Sequence, residues 1–427
     1  MKPVATDPAM FVANRQRLRE LLPEQALVVV HSNDIMPTNA DGTMGHHQNA
    51  DLYYLTGILQ EESILLMAPG AFDEKLREVL FVREPSEQSA IWEGHKLSKE
   101  EAAAVSGVKN VKWLTEFSTT FRALMCECDQ VFLNSNEHPR AAIDVETRDA
   151  RFIAWCQAHY PLHRYERLAR LMRTLRVVKQ PLEIELIRRA CGITRSGFLR
   201  VLGCTRAGLN EADIEAEFAH EFIRNKAVFA YPPIIAAGKN NCVLHYNQND
   251  QELVSGQLLL LDVAAGYGQY ASDLTRTIPV SGRFTDRQRA VYDAVLRVLR
   301  AITRLMVPGC YLTDLRTRAE QLIEQELLGL GVLNAEEVAR QDPEKPLFKK
   351  FFMHGVAHPL GLDVHDVGLA RQPVAPGWVL TCEPAIYLAD EGFGIRLEND
   401  ILVTESEPVD LMAEIPIEAD EIERLMS

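Results

Sequence analysis

QLLLLDVAAGYGQYASDLTRTIPV, residues 257–280, sets the fold of this 427-residue chain. It opens on a continuous apolar run, Leu258 to Leu261, with the length of a buried strand, and the run ends on Asp262. A glycine-tyrosine turn follows, and a second strand then carries Asp273, Thr275 and Thr277 on one face by period-two alternation. Two carboxylates on adjacent strands can therefore meet. A carboxylate at the end of an apolar run is costly unless it is paired, hydrogen-bonded or on a metal. Taken alone, the pair divides evenly between a functional site and turn caps or a structural ion pair, because Asp is common beside glycine turns.

On either side of this hairpin the chain repeats an order of elements. A helix over 182–202 leads through GCTRAGLN to a second amphipathic helix, and a helix over 286–306 leads through PGCYLT to another; Asn210 and Thr313 are the expected polar caps. Each pair then gives way to strand-like segments. This order predicts a duplicated α/β unit, with helices outside a curved, largely antiparallel sheet. Upstream, strands are expected at 26–30, 63–68 and 78–82 and a helix at 11–22, which make a separate small α/β domain. LRVVKQP, residues 175–181, links the two, with Pro181 well placed for the first turn of a new helix. The expected domains are 1–176 and 177–427.

With 60 acidic against 45 basic side chains, the formal charge of −15 disfavours nucleic acid and anionic membrane surfaces as partners. The first twenty residues lack the apolar core of a signal peptide, and no apolar run approaches the ~18 residues of a membrane helix, so the expected location is the cytoplasm. Eight cysteines without a CxxC pair suggest neither a zinc knuckle nor a disulfide framework, but reduced, mostly buried thiols.

The second half supplies further acids. In TCEPAIYLADEGFGIRLENDILVT, residues 381–404, Glu383 follows an apolar strand over 378–382, and Arg396, Glu398 and Asp400 share one face of the returning strand. Any single one of them is more often a solvated edge residue than a ligand; Glu383 is harder to dismiss, wedged between an apolar strand and Pro384. HGVAHPLGLDVHDVG, residues 354–368, sets His354 and His358 four apart, as in a helical zinc pair. Gly355, Pro359 and Gly361 oppose a helix there, so at most one of the two is expected to be a direct ligand.

Asp262, Asp273, Glu383, Glu398 and one histidine thus form a set of four carboxylates and an imidazole. Four negative charges in one cleft raise each other's pKa values unless cations of total charge near +4 sit among them, and two divalent ions satisfy that condition. Oxygen-rich coordination with one nitrogen suits manganese, cobalt or zinc. Two such ions would hold a hydroxide ready to attack a polarised carbonyl, so the inferred chemistry is hydrolysis.

These segments, together with AAGKNNCVLHYNQN and the N-terminal QNADLYYLTGI and EESILLMAP, resemble the pita-bread metallopeptidases over nearly the whole chain. The closest likeness is to the Xaa-Pro aminopeptidase (aminopeptidase P) branch, with prolidase next. The resemblance implies that Asp262, Asp273, His358, Glu383 and Glu398 bind two divalent metal ions, most commonly manganese, with Asp273 and Glu398 bridging them. It implies that a metal-bridging hydroxide attacks the Xaa-Pro carbonyl and that Glu383 moves a proton toward the departing proline nitrogen. His245 and His365 match substrate-side histidines, and His354 and Arg396 match positions that line the cleft. Peptides with proline second are the implied substrates, and a homodimer or homotetramer the implied assembly. Trp92 resembles a tryptophan that reaches a neighbouring subunit's active site; a half-buried surface aromatic is the alternative. Pro233 and two alanines in FAYPPIIAAGKNN depart from the expected serine and glycine, and Cys382 reads as a small core filler. Prolidase would differ in substrate length rather than metal chemistry. A metal-free binding module or chaperone, or the metal-independent creatinase type, would have no use for the intact ligand set. The extra N-terminal domain and the context of His365 disfavour methionine aminopeptidase.

Overall fold

The computed structural model describes residues 4, 6–141, 144–368 and 371–427. Two compact units are present, Pro3–Arg176 and Val177–Ser427. In the smaller, strands β1 (Ala26–His31), β2 (Ile64–Met67), β3 (Glu78–Val82), β4 (Asn110–Trp113), β5 (Gln130–Leu133) and β6 (Arg164–Arg167) form one mixed sheet in the order β4-β3-β2-β1-β5-β6. β1 is buried at all six positions, as its unbroken apolar run requires. Leu27, Val29, Leu66, Phe81 and Phe121 share its core with the helix Phe117–Met125. Trp92, which ends the short helix Glu87–Trp92, is 80% exposed, so the half-buried alternative does not hold.

The larger unit opens with the helix Pro181–Cys204, whose proline stands in the first turn and whose Gln180 and Glu183 form a capping box. The helix Glu211–Arg224 pairs with it, and Asn210 caps that helix by accepting from Ala212 N, as expected. In the second pair, Asp286–Thr303 and Leu312–Gly329, the cap expected at Thr313 is wrong. The helix starts two residues earlier with Tyr311 as an N-cap that makes no side-chain bond, and Thr313 lies inside the first turn beside Asp314.

Strands of this unit are β7 (Val228–Phe229), β8 (Ile234–Ala237), β9 (Leu258–Asp262), β10 (Ala265–Tyr267), β11 (Tyr270–Ala271), β12 (Thr275–Pro279), β13 (Val379–Cys382), β14 (Ala385–Leu388), β15 (Phe393–Arg396), β16 (Asn399–Leu402) and β17 (Val409–Asp410). Every pairing among them is antiparallel. β9 lies between β8 and β12, in a register that sets Asp262 opposite Thr275. β14 and β15 make a hairpin with Ala385 opposite Arg396, and β13 sets Thr381 opposite Asp400 of β16. The single returning strand expected over Arg396 to Asp400 is in fact two, broken at Leu397 and Glu398. The break lets Glu398 N donate to Thr275 O at 3.0 Å, which joins the two halves across their acidic strands. Nor are the acids a solvated edge: Glu398 and Asp400 are both buried. Among the described residues no helix is long and apolar enough to cross a membrane.

Gly361 shows how tightly the histidine segment is packed. A Cβ there would lie 2.1 Å from Asp366 Oδ2 and 2.8 Å from Lys179 Cε, and both neighbours are held in a buried ion pair. Gly361→Ala is expected to cost about 1–3 kcal/mol by overpacking, measured by urea unfolding. An unchanged midpoint would show that the carboxylate can swing away.

Candidate metal centre

The hairpin expected here is an antiparallel pair, β9 and β12, with β10 and β11 between them; it delivers Asp262 and, two residues before β12 begins and so outside the expected strand, Asp273. The loop ahead of β13 delivers His358, the residue after β13 is Glu383, and the break between β15 and β16 delivers Glu398. Asp273, His358 and Glu398 each offer a ligand atom within 4.8 Å of the others, and all three are buried. Glu383 stands beside them, its Oε1 3.9 Å from His358 Nε2, which is 3.4 Å from Asp273 Oδ2, and the charge of Asp262 acts on Glu398. As Gly355, Pro359 and Gly361 indicated, His354 and His358 lie outside any helix, and both approach Glu383, at 3.5 Å and 3.9 Å.

The hydrogen bonds around His358 fix which nitrogen faces the acids. Nδ1 lies 2.9 Å from Pro359 O, a carbonyl that can only accept, so Nδ1 carries the hydrogen and Nε2 turns toward Asp273 and Glu383. A ligating imidazole is normally oriented in this way. His358 N donates to Thr381 Oγ1 and Thr381 N to His358 O, which pins the residue from both sides.

Electrostatically the acids oppose one another. Burial, with the charges of Asp273, Glu383 and Asp262 added, holds the Glu398 carboxyl well above its usual range. Burial also raises Asp262, against the pull of Arg396, and pushes Glu383 up to about 7. Burial alone would lower His358, but Asp273 and Glu383 outweigh it and lift the imidazole to about 9. Protons thus stand where cations would relieve the same repulsion, and four carboxylates with one nitrogen donor suit divalent ions.

Several residues beyond the predicted set hold these ligands. Tyr231 donates to Asp262 Oδ1 at 2.7 Å, and Arg396 Nη2 to Asp262 Oδ2 at 2.7 Å. Arg396 Nε donates to Thr275 Oγ1 at 3.1 Å, and the threonine hydroxyl to Glu398 Oε2 at 2.7 Å. The hydroxyl oxygen of Tyr387 accepts from Arg396 Nη1 at 2.7 Å and lies 2.9 Å from His354 Nε2. Because His354 Nδ1 is 2.7 Å from Gly355 O, Nε2 of the neutral ring accepts from that tyrosine. His354 Nδ1 is also 3.5 Å from Glu383 Oε2. Asp400 Oδ2 accepts from Asp273 N at 3.1 Å, with Cys191 Sγ at 3.5 Å. Of these, Tyr231, Tyr387 and the supporting role of Asp400 were missed. The alternation of β14 puts Ala385 and Tyr387 on one face with Arg396 opposite Ala385, a signal available once the hairpin is drawn.

His365 is half-buried, its ring 4.4 Å from that of His358 and nearly perpendicular to it. His245 is exposed beyond the turn Gly238–Cys242, and no hydrogen bond or ion pair among the described residues joins it to the cluster. Cys382 is fully buried, and burial pushes its thiol well up, as befits a core filler. Half of the eight cysteines, rather than most, are buried.

The model of metallopeptidase family M24 matches residues 185–405, and that of the aminopeptidase P N-terminal domain matches 11–132. The chain belongs to metallopeptidase family M24. Among its M24 relatives, the Xaa-Pro aminopeptidase of Escherichia coli is 32% identical over 97% of this chain and 97% of its own length. Human Xaa-Pro aminopeptidase 3 is 31% identical, covering 98% of this chain and 85% of its own. Zinc-substituted Escherichia coli aminopeptidase P, solved in complex with product, superposes with a TM-score of 0.87 at 31% identity, covering 99% of both chains. Aminopeptidase P of Pseudomonas aeruginosa gives a TM-score of 0.89 at 28% identity, covering 100% of this chain and 99% of that one. The expected fold class, a small α/β domain followed by a pita-bread unit, is the one this M24 chain has.

Proposed function

We propose that this chain is a metallo-aminopeptidase that removes the N-terminal residue from peptides with proline in second place. The observation that carries the proposal is the meeting of Asp273, His358 and Glu398 with Asp262 and Glu383, with Nε2 of His358 turned inward. A fold that needed only stability would have no reason to gather four carboxylates, two buried and two half-buried, in one place. Asp262, Asp273, His358, Glu383 and Glu398 would hold two divalent ions, manganese first, with cobalt or zinc as the alternatives. When bound, such ions polarise a carbonyl and lower the pKa of a coordinated water toward neutrality.

The chain's own groups do the rest. Glu383, beside His354, holds a proton and passes it from Oε2 to the departing proline nitrogen. That nitrogen belongs to a tertiary amide and leaves only if it is protonated. His365 and His245 face the scissile carbonyl and the proline ring. Arg396 and His354, coupled through Tyr387, hold the wall of the cleft and keep Asp262 oriented. Trp92 is exposed as a substrate contact offered to a second copy requires, within a homodimer or homotetramer. The enzyme works in the cytoplasm, on peptides.

A panel of an Xaa-Pro dipeptide, an Xaa-Pro-Yaa tripeptide and longer peptides, each assayed with manganese, cobalt and zinc after chelation, tests the reading. Release of the first residue from the tripeptide is the expected result. Cleavage of the dipeptide alone would make the chain a prolidase, and no cleavage with any metal would make it a binding module.

A further inference from the structure

Beneath the histidine segment lies an ion pair that the chemistry above does not use. Lys179 Nζ and Asp366 Oδ2 are 3.0 Å apart, and both side chains are 1% exposed. The other buried acid nearby, Glu183, accepts from Tyr270 OH at 3.0 Å and from Gln180 N at 2.8 Å, and the charge of Lys179 acts on it too. Lys179 is itself fixed, its N–H donating to Gly377 O at 2.8 Å just ahead of the helix Pro181–Cys204. Asp366 N donates to Pro359 O at 2.9 Å, closing a loop that starts next to His358 and ends next to His365. Ala271 N donates to Gly361 O within that loop, and Gly361 leaves no room for a Cβ above the pair. Buried ion pairs add little net stability over apolar side chains of the same volume, so what this one supplies is a fixed position.

We infer that Lys179 and Asp366 are positioning residues for His365, anchoring the backbone on which that histidine meets the proline-side part of the substrate. The inference rests on the function proposed above and deepens it. Because the pair acts on a substrate-side group rather than on a metal ligand, its loss appears in substrate affinity before it appears in turnover or metal content.

The test replaces the pair by apolar side chains, K179M/D366L, in the full-length, metal-loaded chain. KM for Xaa-Pro-Yaa is expected to rise about tenfold or more, with kcat within about threefold of the parent, since misplacement by an ångström costs that much. Bound metal per chain should match the parent. His365→Ala should then add less than about twofold to KM in the variant, against about tenfold in the parent, as residues acting as one unit do. K179Q/D366N, which keeps a neutral hydrogen bond between the two positions, should bring KM back to within about threefold. Should the apolar pair not fold, D366N carries the test with a KM rise of about threefold expected. A parental KM in K179M/D366L, or in D366N where it stands in for that variant, or loss of metal and kcat in step with KM, overturns the inference. A parent that cleaves no Xaa-Pro-Yaa peptide instead overturns the proposed function.

Discussion

Asp273→Asn and Glu383→Gln are each expected to lower peptide hydrolysis by about 10³-fold or more while leaving the chain folded. Asp273 faces His358 Nε2 at 3.4 Å and shares its space with Glu398, so an amide there removes both a ligand charge and the acceptor geometry. Bound metal should fall with activity in that variant. Glu383→Gln separates the two functions given to this side chain. The amide oxygen can still face a cation, but it cannot hold and release a proton, so turnover should fall further than metal content. Neither change should unfold the protein, for an electrostatic reason. Burial keeps the Glu383 carboxyl at about 7, and the charge of Asp273 adds to the burial that raises Glu398. Deleting either charge relieves repulsion among the acids in the metal-free chain and, against that, removes a partner of the His358 imidazolium. Thermal melts after chelation should therefore place both variants close to the parent near pH 8. Full activity in either variant would overturn the two-metal reading.

How far the site could be read ahead of its geometry depended on what each residue's role rests upon. Asp262 and Asp273 were legible because an apolar run ending in an acid has few inexpensive explanations, although the glycine turn joins β10 to β11 and the pairing of β9 with β12 closes around that hairpin. Rejection of a helical histidine pair needed only the local backbone chemistry of Gly355, Pro359 and Gly361. Roles that rest on contacts between distant segments were not legible. Tyr231 reaches Asp262 across thirty-one positions, and Asp400 reaches Asp273 across one hundred and twenty-seven. Asp400 in particular looked like a solvated edge, because a buried acid and an exposed one have the same alternation in a sequence. The break at Leu397 and Glu398 failed for the same reason. Unbroken alternation from Phe393 to Leu402 favours one strand, and only the bridge from Glu398 to Thr275 forces two. At Thr313 the local rule was overridden outright: a good cap residue stands two positions too late, and Tyr311 takes the place without a side-chain bond.

Removing the metal should make stability strongly dependent on pH, in the direction opposite to ordinary acid denaturation. In the chelated chain the Glu383 pKa stands at about 7 instead of 4.5, so the folded state holds a proton that the unfolded state has released. Stability then falls as pH rises from about 4.5 through 7, because the folded state binds more protons over that window. His358 acts in the same sense. Its folded value of about 9 lies above the ordinary 6.5, so the stability it contributes is complete below 6.5 and is lost as pH rises through 9. The two groups share one another's charge, and their joint effect is on the order of 3 kcal/mol, or about 10 °C in Tm for a unit of this size. Divalent ions take the place of those protons, and their binding must release them. The gain in Tm on adding manganese to the chelated protein should therefore be small near pH 5 and grow by about 10 °C toward pH 9. Taking the difference between loaded and chelated samples at each pH cancels the titration of the surface carboxylates, which is the same in both. Glu383→Gln should flatten the lower part of that rise, between about pH 5 and 7, and reduce the part that His358 governs, because the Glu383 charge helps to hold the proton on that imidazole. A metal-induced gain of equal size at all pH values would mean that the buried acids and His358 are not the groups the ions displace protons from.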